Sequence, residues 1–574
     1  MRNIIVVECK STGCNFIEDI TNMGFHPIVL ETNVAETEAA KEYVEAIQKG
    51  YSKIKHEFDI ISEQDTYEET LEMVKKYNPL LVLPGNEKGV ILASKLAYDL
   101  DLLCNPIENL DAMTLKHEMQ NRLAEFGIRS IKGKNVTTLE DAIDFYDSEN
   151  LEEVVIKPVY SAGSASVRIC ANKEELIHAF KILSTKTNFF GDENEEFLIQ
   201  ECINGEEYIV NTVSCDGIPR VTMVWKYNKI KTSHGAMVYD SCETINELGL
   251  GEAEMIEYAY KVAEALGIKY GPVHGEYMVD DKGPVLIEVN CRPMGGDMDI
   301  EFLDRIAGHH ETDCILTSYL KPELFKQQLK KPYQLYAKGI LKFFIVPNDI
   351  LASSSPMKNI SIKLESHHKT ILVDFDHGVS KEFFKTEDLN TSPGTIYLVH
   401  ENLSVVQHDI NFLRDVERYT FSLVLNNESK DVELKSDDEY LDDIKHIICD
   451  AEKYGIGLFV TDQFIDGANI LQVKYDEVND AEGNFDFIII NLNKSIVENS
   501  SDDIVKSLLD SFSKINTDGL IFVPENTYQL FNSGRKGVEA LFKTLNFKIM
   551  LPPYNLQDIV VASKNNSHAL YYLD

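Results

Sequence analysis

A multidomain chain combining α/β and α+β folds is predicted from three observations. The chain has 574 residues, more than one hydrophobic core usually organises. Its first hundred or so residues alternate short apolar strands with amphipathic helices, the pattern of a parallel, doubly wound sheet. Further along, helices and closely spaced strands mix without that alternation, which is α+β texture.

Residues 3–8 read as a buried strand, 15–24 as a helix ending near Gly24, and 26–30 as a second strand. Helical periodicity from Asp65 to Tyr77, a strand at 80–84 and a helix at 88–100 complete an α/β domain placed at 1–105. The loop Lys10-Ser11-Thr12-Gly13-Cys14 has one glycine and no lysine–hydroxyl pair of a phosphate loop, so a plain turn is expected. In a second domain, 106–330, helices are expected at 109–126, 172–184 and 252–266. Strands are expected there at 153–158, 167–170, 197–200, 207–214, 220–225, 276–279 and 284–290. Turn signals at Pro347-Asn348-Asp349, Asp376-His377-Gly378 and Ser392-Pro393-Gly394 punctuate 335–420, a β-rich lobe within 331–425. The polar run Asn426 to Glu439 reads as a linker opening a last domain, 426–574, of α/β character.

Composition excludes several classes. At 44% hydrophobic and 9% aromatic residues the chain can build packed cores and is no disordered polymer. A formal charge of −39 argues against nucleic acid or an anionic membrane as the main partner. Ten cysteines without a CxxC pair speak against a disulfide framework or a structural zinc site and fit a reducing cytosol. No apolar run reaches the roughly 18 residues of a membrane span or signal segment, so a cytoplasmic protein is expected.

Three segments carry chemistry. In Gly271-Pro-Val-His-Gly-Glu276 and Pro284-Val-Leu-Ile-Glu288-Val-Asn290-Cys-Arg292, joined by Asp280-Asp281-Lys282-Gly283, a β-hairpin brings Glu276, Glu288 and Asn290 to one face. Three oxygen donors there suit a hard cation such as Mg²⁺, with Mn²⁺ as the substitute. Arg292 continues the alternation and puts a guanidinium beside that cation. The bland reading is a pair of exposed hairpin acids and a surface arginine. Lys157 ends the apolar strand Val154-Val-Ile and precedes the small-residue run Ser161 to Ser166, including Ser164, whose N–H groups can approach phosphate closely. A snorkelling lysine before a flexible turn is the plainer account. Last, Phe197-Leu-Ile-Gln200-Glu201-Cys-Ile203 bends at Asn204-Gly205 into a strand bearing Glu207, a connector that can present backbone to an adenine edge.

Order and spacing of these segments resemble the ATP-grasp superfamily of carboxylate–amine ligases over roughly residues 1–320. The resemblance implies a pre-ATP-grasp α/β domain at 1–105, the ATP-grasp domain at 106–330, and a β-rich lobe completing the ligase at 331–425. It implies that Lys116, Lys157 and Ser164 contact ATP phosphates, although Leu115 stands where many members have Asp. Gln200, Glu201 and Ile203 would line adenine, Glu207 would hold the ribose, and Glu276, Glu288 and Asn290 would hold magnesium. Arg292 would be the catalytic cation; Glu87, His234 and Gly295 would face substrate, with a rim histidine and a surface acid as the plainer readings. The string from Gly271 to Gly296 looks most like the L-amino-acid (dipeptide) ligases, which join carboxylate and amine through an acyl phosphate and release ADP and phosphate. A carboxylase or purine-pathway member acting on a small acid is the alternative.

Phe485 to Asn491 and Asp518 to Val523 resemble later strands of a Rossmann-like methyltransferase. Yet Gly455-Ile456-Gly457 precedes its strand where a cofactor turn should follow one. The expectation is therefore a degenerate methyltransferase-like domain serving homodimerisation or closure over the ligase site, with an S-adenosylmethionine-dependent transferase as the competing reading.

Overall fold

The computed structural model describes most of residues 2–423 and the strand cores between 457 and 563. Chief among the segments outside the described residues are 34–43, 160–166, 186–195, 232–236, 353–363, 373–380 and 424–456, so the proposed linker is not described.

Strands β1 (Asn3–Val7), β2 (His26–Glu31), β3 (Asp59–Ser62) and β4 (Pro79–Pro84) form a parallel sheet in the order β3-β2-β1-β4. Both faces are covered, which is why β1 is continuously apolar. Ile4 and Val6 pack towards α1 (Asn15–Asn22), and Ile5 and Val7 towards α2 (Tyr67–Lys76) and α3 (Val90–Asp99). Strand β3 was not anticipated: it is a four-residue edge strand in which Ile61 alone is buried. The turn after β1, expected to be plain, is closely packed. A Cβ on Gly13 would lie 2.0 Å from the carbonyl oxygen of Gly85.

The helix expected at 109–126 is two helices, α4 (Leu110–Thr114) and α5 (Lys116–Glu125), because Leu115 is extended at φ −102° and ψ 115°. That break makes Lys116 the first helical residue. A small antiparallel sheet, order β5-β8-β6-β7, follows from β5 (Gly133–Val136), β6 (Val154–Pro158), β7 (Arg168–Cys170) and β8 (Phe197–Glu201). One of its faces, with Val154, Ile156 and Ile199, packs on α6 (Leu139–Glu149) and α7 (Lys173–Leu183).

The largest sheet has eight strands in the order β13-β12-β9-β10-β11-β14-β18-β16. Its members are β9 (Glu206–Cys215), β10 (Ile218–Lys231), β11 (Met237–Thr244), β12 (Gly271–Asp280), β13 (Gly283–Asn290), β14 (Lys338–Phe343), β16 (His367–Leu372) and β18 (Gly394–His400). Strands β15 (Ile350–Ala352) and β17 (Lys381–Phe383) pair separately. Helix α8 (Leu250–Ala265) covers the face bearing Tyr208, Val210, Val224 and Tyr277, and α9 (Ile300–Ala307) covers Ile209, Met223 and Trp225 opposite. Helices α10 (Glu311–Leu320), α11 (Pro322–Gln328) and α12 (Leu403–Leu423) complete this part. The strands of the β-rich lobe thus extend the central sheet, and 403–423, expected to be β-rich, is helical.

The N-terminal sheet is seated on the central one through α1 and α10, whose Phe16, Ile17, Cys314 and Ile315 share a core with Val213. A buried polar clamp fixes the seating. His310 meets Asp19 Oδ1 at 3.0 Å and Asp304 Oδ1 at 2.8 Å, and the Thr312 hydroxyl donates to Asp19 Oδ2 at 2.6 Å. The two carboxylates outweigh the effect of burial and push the imidazole up to about 10.

Strands β19 (Gly457–Val460), β20 (Leu471–Val473), β21 (Phe485–Ile490), β22 (Ile515–Pro524), β23 (Lys548–Met550) and β24 (Ile559–Ser563) form a Rossmann-like sheet, order β20-β19-β21-β22-β24-β23. All neighbours from β20 to β22 are parallel, and β24 runs antiparallel to both of its neighbours. Gly457 opens β19 against Phe487, whose ring would lie 2.1 Å from an added Cβ, so this glycine is spent on packing.

Candidate active site

The hairpin of β12 and β13 turns through Asp281-Lys282, and its tip is tied down by Arg129, which donates to both Asp280 oxygens at 2.6–2.7 Å. Glu276 lies opposite Glu288 and His274 opposite Asn290, and a bulge after Glu276 re-aims the strand there. The expected shared face of Glu276, Glu288 and Asn290 is therefore present in the register. Asn290 Nδ2 approaches Glu288 Oε1 at 3.4 Å. His274 Nε2 lies 3.3 Å from Glu276 Oε1, and its Nδ1 lies 2.9 Å from Asn211 Oδ1.

Two lysines from other elements converge on this face. Lys116 Nζ is 2.5 Å from Glu288 Oε2, with both side chains about four-fifths buried (21% and 19% exposed). Burial alone would push Glu288 up, but Lys116 and Lys157 outweigh it and hold the carboxylate at about 2. Lys157, next to last in β6, is buried; that burial first, and then Lys116, push its ammonium down to about 8. A buried cation held near neutrality gains most from an arriving anion.

Lys157 faces away from α6 and α7, on the side of its register partner Leu198 and of Gln200. On that side Gln200 Oε1 and Asn135 Oδ1 are buried without a hydrogen-bond partner among the described residues. Two orphaned acceptors next to a buried ammonium suit a ligand that brings N–H donors and an anion together. A cleft of about 70 Å³ between Lys116 at the start of α5 and Leu198 of β8 opens there. Glu201 and Ile203 are half-buried beyond it, and Gly205 has no room for a side chain, since a Cβ would sit 2.4 Å from Val279 O.

Glu207 is on β9, on the same face as Glu276, and burial raises its carboxyl. It meets Lys229 at 2.5 Å and accepts from the Tyr239 hydroxyl at 3.1 Å. Neither partner was foreseen, because both depend on the pairing of β9, β10 and β11.

Arg292 leaves the hairpin for the N-terminal domain, where its Nε lies 3.2 Å from Glu87 Oε2. Glu87 opens a short 3₁₀ turn that Asn86 caps by accepting from Lys88 N at 2.9 Å. Residues 205 positions apart are thus brought together. The segment after Arg292 is pinned from below: Glu311 Oε2 accepts from Met294 N at 2.9 Å, Thr12 Oγ1 from Met298 N at 3.1 Å, and Ser11 Oγ from Asp297 N at 2.8 Å. Glu311 is buried, and burial raises it to about 7. The sequence reading missed Glu311, which stands beside a second acid, Asp313, in the first turn of α10 and so looks like an ordinary helix-start carboxylate. Gly295 has open space around it. Ser164 and His234 lie outside the described residues.

The residues present fit a divalent cation by the chemistry of the donor set: two carboxylates and an amide on one face, one of them firmly ionised. Among the described residues no group of three or more His, Cys, Asp or Glu side chains could hold a metal ion. Among the described residues no helix is long and apolar enough to cross a membrane.

Residues 151–301 match the ATP-grasp domain family. Dapdiamide A synthase of Enterobacter agglomerans is 27% identical over 428 residues, 74% of this chain and 98% of the relative. An L-amino acid ligase from Bacillus licheniformis superposes with a TM-score of 0.54 at 15% identity, covering 72% of this chain and 97% of that one. An N5-carboxyaminoimidazole synthase from Aspergillus clavatus, solved with ADP, gives 0.50 at 13% identity over 73% and 98%.

Proposed function

We propose that this chain, whose residues 151–301 match the ATP-grasp domain family, is an ATP-dependent ligase joining the carboxylate of one amino acid to the amine of another. The observation that carries the reading is the convergence of Lys116 and Lys157 on the hairpin carboxylates, beside the contact between Arg292 and Glu87. The amino-acid substrate class rests on the names of two relatives, an L-amino acid ligase and a dapdiamide synthase.

Lys157 and Lys116 take the phosphate oxygens of ATP, and Gln200, Glu201 and Ile203 take the adenine from the β8 connector. Ser164 contributes to phosphate binding. Glu207 takes the ribose hydroxyls, which exchange with its contacts to Lys229 and Tyr239. Glu276, Glu288 and Asn290 would hold magnesium, or Mn²⁺, which when bound offsets charge on the phosphates.

A substrate carboxylate oxygen attacks the γ-phosphorus and ADP leaves. The amine then attacks the acyl carbonyl, expelling phosphate and losing a proton to solvent. Arg292 steadies the acyl phosphate and the tetrahedral intermediate. Glu87, His234 and Gly295 line the substrate end, where Glu87 offers a carboxylate to a substrate ammonium. The boundaries 1–105, 106–330, 331–425 and 426–574 organise these roles, and the last domain serves dimerisation or closure.

The test is a screen of ATP turnover with magnesium and pairs of amino acids, read as ADP and phosphate. Stimulation by a pair supports the reading. Stimulation by bicarbonate or another small acid, with no pair active, sinks it.

A further inference from the structure

A second cavity lies beside the start of β10, which β11 pairs only from Trp225 onward. Between α8, the start of β10 and the segment after α11 is a space of about 650 Å³, within the range of small-molecule sites. Its walls are mixed: Leu248, Ile256 and Leu329 are apolar, while Arg220, Tyr260 and Tyr336 are aromatic or polar.

Arg220 is the unusual member. It is half-buried, yet among the described residues its guanidinium meets only neutral groups, Gln328 Oε1 at 3.2 Å and Cys314 Sγ at 3.8 Å. A guanidinium has five donors in a planar fork and seldom stays half-desolvated without an anion. Beside it, the Tyr260 hydroxyl accepts from Val221 N at 3.2 Å and, among the described residues, donates to nothing. Arg220, with no carboxylate partner among the described residues, and the Tyr260 hydroxyl thus border one cavity, which Glu257, Leu329 and the exposed ring of Tyr336 also line.

We propose that this cavity is a ligand site for a small monocarboxylate with an apolar or aromatic body. The carboxylate pairs with Arg220 and Tyr260, and the body lies against Leu329 and Tyr336. Nothing in the ligase chemistry uses these residues, so the site is separate from the one between the sheets.

The experiment is calorimetric titration of the full chain with 3-phenylpropanoate, 3-phenylpropanamide and inorganic phosphate. Saturable binding of the carboxylate is expected, with the amide at least about tenfold weaker for want of the charge-assisted bond. Arg220→Met should weaken the carboxylate by about tenfold or more. Ala253→Trp, on an exposed position of α8 at the cavity, should block it in a protein that melts normally. Glu288→Gln should bind as the parent does. The proposal is overturned if the parent shows no saturable binding, if Arg220→Met and Ala253→Trp bind undiminished, if phosphate binds as well as the carboxylate, or if Glu288→Gln abolishes binding.

Discussion

Replacing Glu288 by Gln keeps the shape of the side chain and removes its charge. Lys116 Nζ then loses a partner at 2.5 Å, and Lys157, already lowered to about 8, faces Lys116 with less compensation. The gross attraction of such a pair is about 4 kcal/mol at 4 Å and an effective dielectric constant of 20. Desolvation of both groups offsets much of it, and the roughly one-fifth exposure of each side chain reduces it further, leaving a stability cost of about 1–2 kcal/mol. The catalytic cost is larger. One of two hairpin carboxylates is gone, and turnover should fall on the order of 10²–10³-fold, about 3–4 kcal/mol of transition-state stabilisation. Steady-state ADP release at saturating ATP, beside a thermal melt of the same preparation, separates the two effects. Lys116→Met and the double variant close a cycle in which the stability losses should be less than additive. A Glu288→Gln enzyme retaining more than about a tenth of parental turnover would refute the assignment.

The clamp of His310 with Asp19 and Asp304 has its own pH signature. The folded imidazole is raised from 6.5 to about 10, so its stabilisation is complete below about 6.5 and lost as pH rises through 10. Melting temperatures across that window should fall in the parent and stay flatter in His310→Ala. Glu311 is raised from 4.5 to about 7, so its contribution is full below about 4.5 and is lost as pH rises through 7. Glu311→Gln should therefore melt higher than the parent above pH 7 while keeping an acceptor for Met294 N; Glu311→Leu, which strands that N–H, should lose about 1–3 kcal/mol in chemical denaturation. For the C-terminal sheet, where Gly457 packs on Phe487, no heat of binding is expected on titration with S-adenosylmethionine. Saturable binding would restore the transferase reading.

What the sequence made legible follows from period and spacing. The hairpin carboxylates were readable because Glu288 and Asn290 obey a two-residue period and Glu276 lies across a short turn. The strand carrying Lys157 was readable because an apolar run that stops on a lysine is unusual. Contacts set by tertiary closure were not: Lys116 on Glu288, Arg292 on Glu87, and Lys229 on Glu207 each join different elements. Glu311 was hidden for the same reason, since its partner is one backbone N–H in a distant loop. Short elements also escaped. Strand β3 exposes Ile60, and α9 to α11 are each ten residues or fewer, too brief for helical periodicity to stand out. The lobe after residue 331 looked separate by its turn signals, yet backbone pairing of β11 with β14 continues the sheet through it. Side-chain patterns do not report that kind of pairing.

The central claim is that a carboxylate is activated by phosphoryl transfer from ATP and then captured by an amine. Hydroxylamine tests it most directly by replacing the amine. With ATP, magnesium and the donor amino acid, an amino-acyl hydroxamate should form one-for-one with ADP and phosphate, and be abolished in Glu288→Gln. Hydroxamate accompanied by AMP and pyrophosphate would contradict the acyl-phosphate route.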